Sequence, residues 1–228
     1  MIEFQSVSKK YPSGQTALDG ISLKIESGEF VFIVGLSCAG KSTMIKMLTR
    51  ELSPSSGKVL FNNEDINAFK KSRIPLLRRR IGTVFQDFKL LLTRTVFENV
   101  AVPLEVLSKS EAEIEKEVSS ALEKVGILDK ANSFPSQLAG GEVQRTAIAR
   151  AIISKPEVIL ADEPTGDLDP KNSLSVVGLL EKINKEDKTT IIMATHNSQI
   201  VNHFKKRVVV LEKGKMVKDQ KEGRYEAG

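Results

Sequence analysis

The sequence predicts a single α/β domain of 228 residues that contains an inserted helical segment. Three observations support this prediction. A glycine-rich loop joins a short apolar run to a segment with helical spacing at residues 30–48. Residues 87–155 have the periodicity of helices, and strands alternate with helices again from residue 157. With 40% hydrophobic residues, the chain is long enough for one substantial core.

The first part of the chain has the pattern of antiparallel strands. Ile21, Leu23 and Ile25 alternate with polar residues, and the turn at residues 27–28 follows them. This pattern predicts a hairpin that leads into the strand before the glycine-rich loop. A further short strand is expected at residues 58–61.

The glycine-rich loop has the form G-x-x-x-x-G-K-[ST], with Gly35, Gly40, Lys41 and Ser42 at the fixed positions. Residues 30–34 before it are apolar, as in a parallel strand that is buried on both faces. Glycines let the backbone wrap around phosphate oxygens, and the helix N-terminus adds unpaired N–H groups. We expect Lys41 to contact the β- and γ-phosphates and Ser42 to ligate Mg²⁺. A glycine-rich turn without a ligand is the alternative.

The inserted segment contains a helix with a clear beginning and end. Ser110 and Glu113 have capping-box spacing, and Gly126 ends the apolar stripe. That stripe consists of Ile114, Val118, Ala121, Leu122 and Val125. We therefore expect residues 87–155 to form a helical subdomain inserted into the α/β core.

Three apolar, β-branched runs predict strands in the last third of the chain, at residues 158–161, 189–194 and 207–211. Lys213-Gly214 predicts the turn of a final hairpin. The strand at 158–161 leads directly into Asp162 and Glu163.

Two consecutive carboxylates at the end of a buried strand indicate the second half of a nucleotide site. Successive side chains of a strand point in different directions, and α/β folds bind ligands at this edge. We assign Asp162 to Mg²⁺ and Glu163 to the general base that polarises water for attack on the γ-phosphate. The alternative is a solvated acidic strand end. His196 follows the next strand and is either structural or a hydrogen-bond partner of the γ-phosphate.

The composition excludes several classes of protein. One cysteine excludes an internal disulfide and fits a reducing cytoplasm, and no apolar run reaches the roughly 18 residues of a membrane span. The N-terminus does not have the pattern of a signal peptide. Trp is absent and no nucleic-acid recognition motif is present, so no nucleic-acid partner is expected.

The net charge of +5 is distributed in two basic clusters. One comprises Lys70, Lys71, Arg73 and residues 78–80, and the other lies within residues 204–228. Each cluster is either a solvated face or a surface that faces an anionic cytoplasmic leaflet or an acidic partner.

Residues 138–145, Leu-Ala-Gly-Gly-Glu-Val-Gln-Arg, resemble the signature L-S-G-G-[EQ]-x-Q-R of the ABC-transporter ATPases. The other motifs of that family are present in order. Tyr11 resembles the aromatic residue that stacks on adenine, and Gln86 resembles the Q-loop glutamine. Residues 166–169 resemble the D-loop, and His196 occupies the position of the switch histidine.

The resemblance implies a RecA-like α/β core with an N-terminal antiparallel β subdomain and an inserted helical subdomain, all within one ATPase domain of residues 1–228. It also implies a head-to-tail homodimer that forms with ATP, in which the loop of one subunit faces the signature of the other. Glu163, His196 and Gln86 would be catalytic, and Ser42, Gln86 and Asp162 would hold Mg²⁺. The implied ATP contacts are Tyr11, Gly35, Leu36, Ser37, Cys38, Ala39, Gly40, Lys41, Ser42, Thr43, Leu138, Ala139, Gly140, Gly141, Glu142 and Asp169.

Residues 74–91 and 95–103 resemble the cell-division branch of this family, and residues 193–202 resemble its Gram-positive members. That branch implies an integral membrane subunit as partner, a place on the inner face of the cell membrane, and activation of peptidoglycan hydrolases outside it. An ATPase of a solute importer or of a lipoprotein or macrolide exporter is the second interpretation. A soluble ABC protein of translation or nucleic acids is the third.

The segment after Gln86 is a candidate contact for the membrane subunit. Four large apolar side chains lie in a loop-like stretch, at Phe88, Leu90, Leu91 and Leu92. They form either a groove for a short helix of the partner or part of the packing of the helical segment.

Two positions differ from the family pattern. Ala139 replaces the usual Ser, which removes one hydroxyl donor to the opposite γ-phosphate and predicts slow turnover. Cys38 replaces a usual Gly and is either a tolerated small residue or a redox-sensitive thiol at the helix N-terminus.

Overall fold

The structure is a computed structural model that describes residues 1–225. The strands within these residues are β1 (Ile2–Lys10), β2 (Thr16–Ile25), β3 (Phe30–Val34), β4 (Ser56–Phe61), β5 (Glu64–Asp65), β6 (Ile81–Phe85), β7 (Val158–Asp162), β8 (Thr190–Thr195), β9 (Arg207–Glu212) and β10 (Lys215–Gln220). The α-helices are α1 (Lys41–Leu48), α2 (Ile74–Arg79), α3 (Val96–Val106), α4 (Glu111–Val125), α5 (Gly140–Ile152), α6 (Pro170–Asp187) and α7 (Ser198–Phe204).

The strands form two sheets. The larger sheet has the order β10-β9-β3-β8-β7-β6, and its strands are parallel except for β10. The smaller sheet has the order β2-β1-β4-β5 and is antiparallel. The α/β class and the N-terminal antiparallel β part are thereby confirmed.

Strand β3 separates the two halves of the core. All five of its side chains are buried. Phe30, Phe32 and Val34 pack in the same cluster as residues of α3, α4, α5 and α6. Val31 and Ile33 pack in the other cluster, with residues of α1 and the small sheet. This alternation is the burial on both faces that the apolar run predicts.

The prediction that residues 21–25 and 30–34 form a hairpin is wrong, because the two strands do not pair with each other. Strand β2 pairs with β1 in the small sheet, whereas β3 lies between β9 and β8 in the large one. Gly28 has a φ of 76°, and its N–H donates to Thr190 Oγ1 at 2.9 Å. The turn therefore carries the chain from one sheet to the other. The final hairpin at Lys213-Gly214 is confirmed between β9 and β10.

Residues 87–155 contain the helices α3, α4 and α5. Helix α4 has the predicted capping box, because Ser110 N–H donates to Glu113 at 3.0 Å and Glu113 N–H donates to Ser110 Oγ at 3.4 Å. Gly126 caps its end with a φ of 74°. The apolar stripe of α4 packs in the same core as one face of the large sheet. The boundaries of a separate subdomain at residues 87 and 155 therefore stay a prediction.

No helix within residues 1–225 is both long and apolar enough to cross a membrane.

Candidate functional site

The glycine-rich loop joins β3 to α1 at the carboxyl edge of the large sheet. Gly35 has a φ of 155° and Gly40 a φ of 108°. A Cβ atom at Gly35 would lie 2.3 Å from the carbonyl oxygen of Leu211, and one at Gly40 would lie 2.6 Å from that of Ala17. Both positions therefore require glycine, for reasons of space as well as of backbone conformation.

Cys38 lies in the same loop with a φ of 64°, and its side chain is exposed. A left-handed conformation costs a residue with a Cβ atom about 1–2 kcal/mol. Glycine, which has no Cβ atom, would therefore be more favourable than Cys at position 38.

Lys41 is held beneath the loop by backbone and carboxylate oxygens. Its ammonium donates to the carbonyl oxygen of Gly35 at 2.7 Å and lies 3.5 Å from Oε1 of Glu163. The Lys41 side chain is only 8% exposed. The loop therefore holds the lysine that the motif predicts, and the two halves of the predicted site are in contact.

Ser42 and Asp162 place two oxygen atoms that could ligate a metal ion close to each other. The Ser42 hydroxyl donates to Oδ1 of Asp162 at 3.1 Å. Burial raises the pKa of the Asp162 carboxyl, and the nearby Glu163 also raises it, whereas the bond from Ser42 acts in the opposite direction. A cation next to Asp162 would offset this desolvation of the carboxylate.

This donor set fits Mg²⁺, which is typically held by one or two carboxylates, waters and phosphate oxygens. Within residues 1–225, no group of three or more His, Cys, Asp and Glu side chains could hold a metal ion. A protein cage is therefore not the type of site found in this part of the chain. Ser42, Asp162 and the side chain of Gln86 would hold the ion together with the phosphates.

Glu163 and His196 form the third contact of the site. Nδ1 of His196 lies 3.0 Å from Oε1 of Glu163, and the His196 N–H donates to the other carboxylate oxygen at 3.3 Å. Glu163 is 16% exposed, whereas His196 is 63% exposed. The carboxylate is thus oriented by a buried ammonium on one side and an exposed imidazole on the other.

Most of these residues line one pocket of about 400 Å³, whereas Gly35, Leu36 and Asp162 lie outside its lining. Its lining comprises Tyr11, Gln15, Ala17, residues 37–43, Gln86, Glu163 and His196. The Tyr11 hydroxyl lies 3.4 Å from Thr43 Oγ1 within this lining. Gln15 and Ala17 belong to the lining without any motif in the sequence that would have indicated them.

Gln86 lies at the carboxyl end of β6, beside the residues of the predicted D-loop. Its Nε2 donates to Oδ1 of Asp167 at 3.4 Å, and a Cβ atom on Gly166 would lie 2.9 Å from that same nitrogen. The absence of a side chain at Gly166 therefore leaves room for Gln86.

The residues of the predicted signature lie elsewhere. Among the residues 1–225 that the structure describes, those that line the 400 Å³ pocket include none of residues 138–142. Gly140 and Gly141 instead begin α5 and lie against Leu168 and Asn172 of the neighbouring segment. The structure thus gathers the loop, carboxylates and histidine, and separates them from residues 138–142.

Ala139 is the N-cap residue of α5. Its N–H donates to the side chain of Glu142 at 2.9 Å, which is one half of a capping box. A methyl side chain supplies no acceptor for the other half. Asp169 occupies the corresponding place in α6, where it accepts from the Asn172 N–H at 3.0 Å, and this bond lowers the pKa of its carboxyl.

Comparison with known proteins decides the family. The model of the family described as "ABC transporter" matches residues 18–166, which is more than half of the chain. The chain belongs to the ABC transporter family. It is 52% identical over 225 residues to the cell division ATP-binding protein FtsE of Bacillus subtilis, covering 99% of this chain and 98% of that protein. It is 46% identical to FtsE of Escherichia coli K12, covering 94% and 96%.

Solved structures of ABC cassettes have the same fold. A dimeric ATP-binding cassette, MJ0796, in a post-hydrolysis state with ADP and Pi, matches with a TM-score of 0.89 and 36% identity over 99% of this chain and all of that one. The cassette cbiO1 from Clostridium perfringens, part of the transporter complex cbiONQ, matches with a TM-score of 0.90 and 34% identity over 96% and 88%. As a member of this family, the chain binds and hydrolyses ATP.

Two residues of this ABC ATPase that the sequence motifs did not indicate fix the segment after Gln86. Arg150 of α5 donates to the carbonyl oxygens of Phe88 at 2.8 Å and Lys89 at 2.6 Å. Phe88 and Lys89 both have left-handed φ values, 56° and 51°. Burial lowers the pKa of the Arg150 guanidinium.

Asn99, which is fully buried in α3, holds the other end of that segment. Its amide donates to the carbonyl oxygens of Leu91, Arg94 and Thr95, and its Oδ1 accepts from the Leu91 N–H at 2.8 Å. Leu91 and Leu92 are 45% and 72% exposed between these two anchors. Phe88 and Leu90 are half-buried.

Proposed function

We propose that the chain is the ATPase subunit of a membrane complex in cell division and that it works as an ATP-dependent, head-to-tail homodimer. Its partner would be an FtsX-like integral membrane subunit, on the inner face of the cell membrane. ATP-driven closure of the dimer would then activate peptidoglycan hydrolases on the other side. The FtsE relatives support the cell-division role, and the dimeric cassette MJ0796 supports the assembly.

One observation carries the proposed dimer. The pocket of about 400 Å³ is lined by residues 37–43 of the glycine-rich loop and its helix, by Glu163 and by His196. The N-terminus of α5 at Gly140 lies outside this lining. Gly140 and Ala139 are exposed. Backbone N–H groups at a helix N-terminus bind anions, and those of α5 have no phosphate to bind within their own subunit. A second subunit would bring them to the γ-phosphate.

The roles of the residues follow from their positions. The loop amides and Lys41 would hold the β- and γ-phosphates, and Tyr11 would stack on the adenine. When bound, Mg²⁺ would neutralise charge on the β- and γ-phosphates. Glu163 would accept a proton from the attacking water, and His196 would keep its carboxylate in place and contact the γ-phosphate.

Leu91 and Leu92 are the proposed contact of the membrane subunit. They are exposed in the segment that Arg150 and Asn99 hold in place. Two anchors hold this segment, so its apolar side chains are presented in a fixed conformation. Replacing Leu91 or Phe88 with Glu should abolish co-purification with the FtsX-like subunit while ATP binding persists. Retained co-purification of the Leu91→Glu chain would contradict this contact, because Leu91 is exposed and its loss should not unfold the chain.

A mixing experiment tests the composite site. Lys41→Met should inactivate the phosphate loop, and Gly140→Glu should place a negative charge where the opposite γ-phosphate would bind. Gly140 is exposed and lies in the first turn of α5, where an acidic residue suits the helix dipole, so the second chain should fold. Phosphate release is measured for each chain alone and for the equimolar mixture.

Each variant alone should be inactive. In a mixed head-to-tail dimer, however, the loop of the Gly140→Glu chain meets the intact signature of the Lys41→Met chain, so one complete site is restored. An inactive mixture, with both chains folded and dimeric, would contradict the proposal. Wild-type activity of Gly140→Glu alone would contradict it too.

A further inference from the structure

The segment before β6 forms a basic surface with one protruding leucine. Residues 66–80 contain six Lys and Arg side chains and no Asp or Glu. Three of these basic residues are engaged, because Arg73 pairs with Glu64, Arg80 pairs with Glu157, and Arg78 donates to a backbone carbonyl. The other three, Lys70, Lys71 and Arg79, are exposed and form no ion pair with any residue in 1–225.

Leu76 lies within this surface and is 55% exposed. It is three residues before Arg79 in α2, so the two side chains share one side of the helix, whereas the adjacent Leu77 is buried. We call Lys70, Lys71, Leu76 and Arg79 the α2 surface. An apolar side chain among unpaired cations is the composition of segments that lie at a membrane interface.

The α2 surface lies at one particular edge of the molecule. Helix α2 leads into β6, which is the edge strand of the large sheet and ends next to the segment proposed to contact the membrane subunit. Strand β6 has five residues, so its two ends are separated by roughly 16 Å. The α2 surface and the proposed partner contact therefore belong to the same edge.

The second basic cluster of the chain lies at the opposite edge. Its residues in β9, β10 and the following turn are at the far side of the sheet, five strand spacings or roughly 24 Å from β6. A membrane that faces the β6 edge does not face the β10 edge. The topology thus distinguishes two clusters that look alike in the sequence.

We infer that the α2 surface binds the anionic phospholipid headgroups of the leaflet that faces the β6 edge, with Lys70, Lys71 and Arg79 contacting phosphates and Leu76 entering the acyl boundary. The choice of edge rests on the proposed membrane partner. The lipid contact itself needs only the full chain and a lipid surface, so it is tested without that partner.

Vesicle flotation is the test, with phosphatidylcholine vesicles that contain or lack phosphatidylglycerol. The variant Lys70→Gln, Lys71→Gln, Arg79→Gln removes the three unpaired charges. The matched control Lys218→Gln, Lys221→Gln, Arg224→Gln removes three exposed charges from the β10 edge and its following turn. Leu76→Ser removes the apolar side chain alone. The thermal unfolding temperature should be unchanged in all of them, because the substituted side chains are exposed. Phosphate release should also be unchanged, because none of these side chains lines the nucleotide pocket.

We expect the chain to bind vesicles that contain phosphatidylglycerol and to be released by salt. Each neutralised charge should weaken binding about fivefold, so the α2 variant should bind about 100-fold more weakly and the control about as well as the wild type. Leu76→Ser should weaken binding several-fold, including at high salt, where charge is screened.

Four results would overturn the inference. The first three are no binding to the anionic vesicles, an equal loss in both triple variants, and no effect of Leu76→Ser, which would mean that no apolar side chain enters the acyl boundary. Tighter binding to duplex DNA than to the vesicles would also overturn it. None of these results bears on the mixed-chain ATPase experiment, so the dimer proposal stands or fails separately.

Discussion

The ammonium of Lys41 lies 3.5 Å from the carboxylate of Glu163, across the contact between the glycine-rich loop and the carboxyl end of β7. The same carboxylate accepts from the His196 N–H. A γ-phosphate bound to the loop would compete with Glu163 for Lys41, because both are anions. Binding of ATP would therefore free this carboxylate to face the attacking water.

Replacing Glu163 with Gln should keep ATP binding and remove hydrolysis. An amide does not accept the proton of the attacking water, and general-base catalysis typically contributes about 10²- to 10⁴-fold. We expect phosphate release to fall by that factor while nucleotide affinity, measured by equilibrium dialysis with ATP, is unchanged or higher. Glu157→Gln is the matched control, since Glu157 pairs with Arg80 just before the opposite end of β7. Wild-type phosphate release by Glu163→Gln would contradict the assignment of the base.

Replacing Cys38 with Gly should stabilise the chain. The φ of 64° costs a residue with a Cβ atom about 1–2 kcal/mol, and the greater freedom of glycine in the unfolded chain removes roughly 0.5–1 kcal/mol of that gain. The free energy of unfolding, measured with urea, should therefore rise by up to about 1.5 kcal/mol. Cys38→Ala is the control, because it retains the Cβ atom and should show no such gain. Equal stability of the Gly and Ala variants would mean that the loop is not strained at this position.

Replacing Ala139 with Ser should change both stability and turnover. A serine at the N-cap of α5 completes the capping box with Glu142, which is worth about 1 kcal/mol and raises the melting temperature by about 2–4 °C. The hydroxyl would also donate to the γ-phosphate in the proposed dimer, so phosphate release should rise several-fold. Ala112→Ser, an exposed position in the first turn of α4, is the control. A higher melting temperature without faster turnover would restrict the role of residue 139 to capping.

The sequence predicted those parts of the site whose determinants are local. The positions of Gly35, Gly40 and the Asp162-Glu163 pair are set by a loop or a strand end, because their neighbours in the chain form the element that positions them, whereas their roles stay predictions. The hairpin predicted around residues 27–28 is wrong, because alternation describes the burial of each strand but not the sheet to which it belongs. Strand β2 has one buried face and β3 has two, which is the difference between the small sheet and the large one.

Arg150 and Asn99 could not be assigned from the sequence for a different reason. Both bind backbone carbonyl oxygens of residues 88–95, and a carbonyl is present at every position, so no residue type identifies the partner. Arg150 is 61 residues from Lys89 in the chain. Its contact depends on the packing of α5 beneath the segment, which is a property of the tertiary structure.

Replacing Arg150 with Lys should loosen the segment between Gln86 and α3. The guanidinium reaches two carbonyl oxygens at once, whereas an ammonium is a single point charge on a shorter side chain. Losing one charged hydrogen bond costs about 1.5–3 kcal/mol, and Phe88 and Lys89 hold strained φ values that the clamp maintains. Amide hydrogen exchange at residues 88–92 should therefore accelerate by about tenfold or more.

Arg145→Lys is the matched control for this clamp, because Arg145 lies on the same helix but donates to Val125 and Ser175. It should accelerate exchange near those partners and leave residues 88–92 unchanged. If Arg150→Lys left the exchange of residues 88–92 at the wild-type rate, Asn99 alone would suffice to hold the segment. If both variants accelerated exchange over the whole chain equally, Arg150 would stabilise the fold in general rather than the conformation of the proposed partner contact.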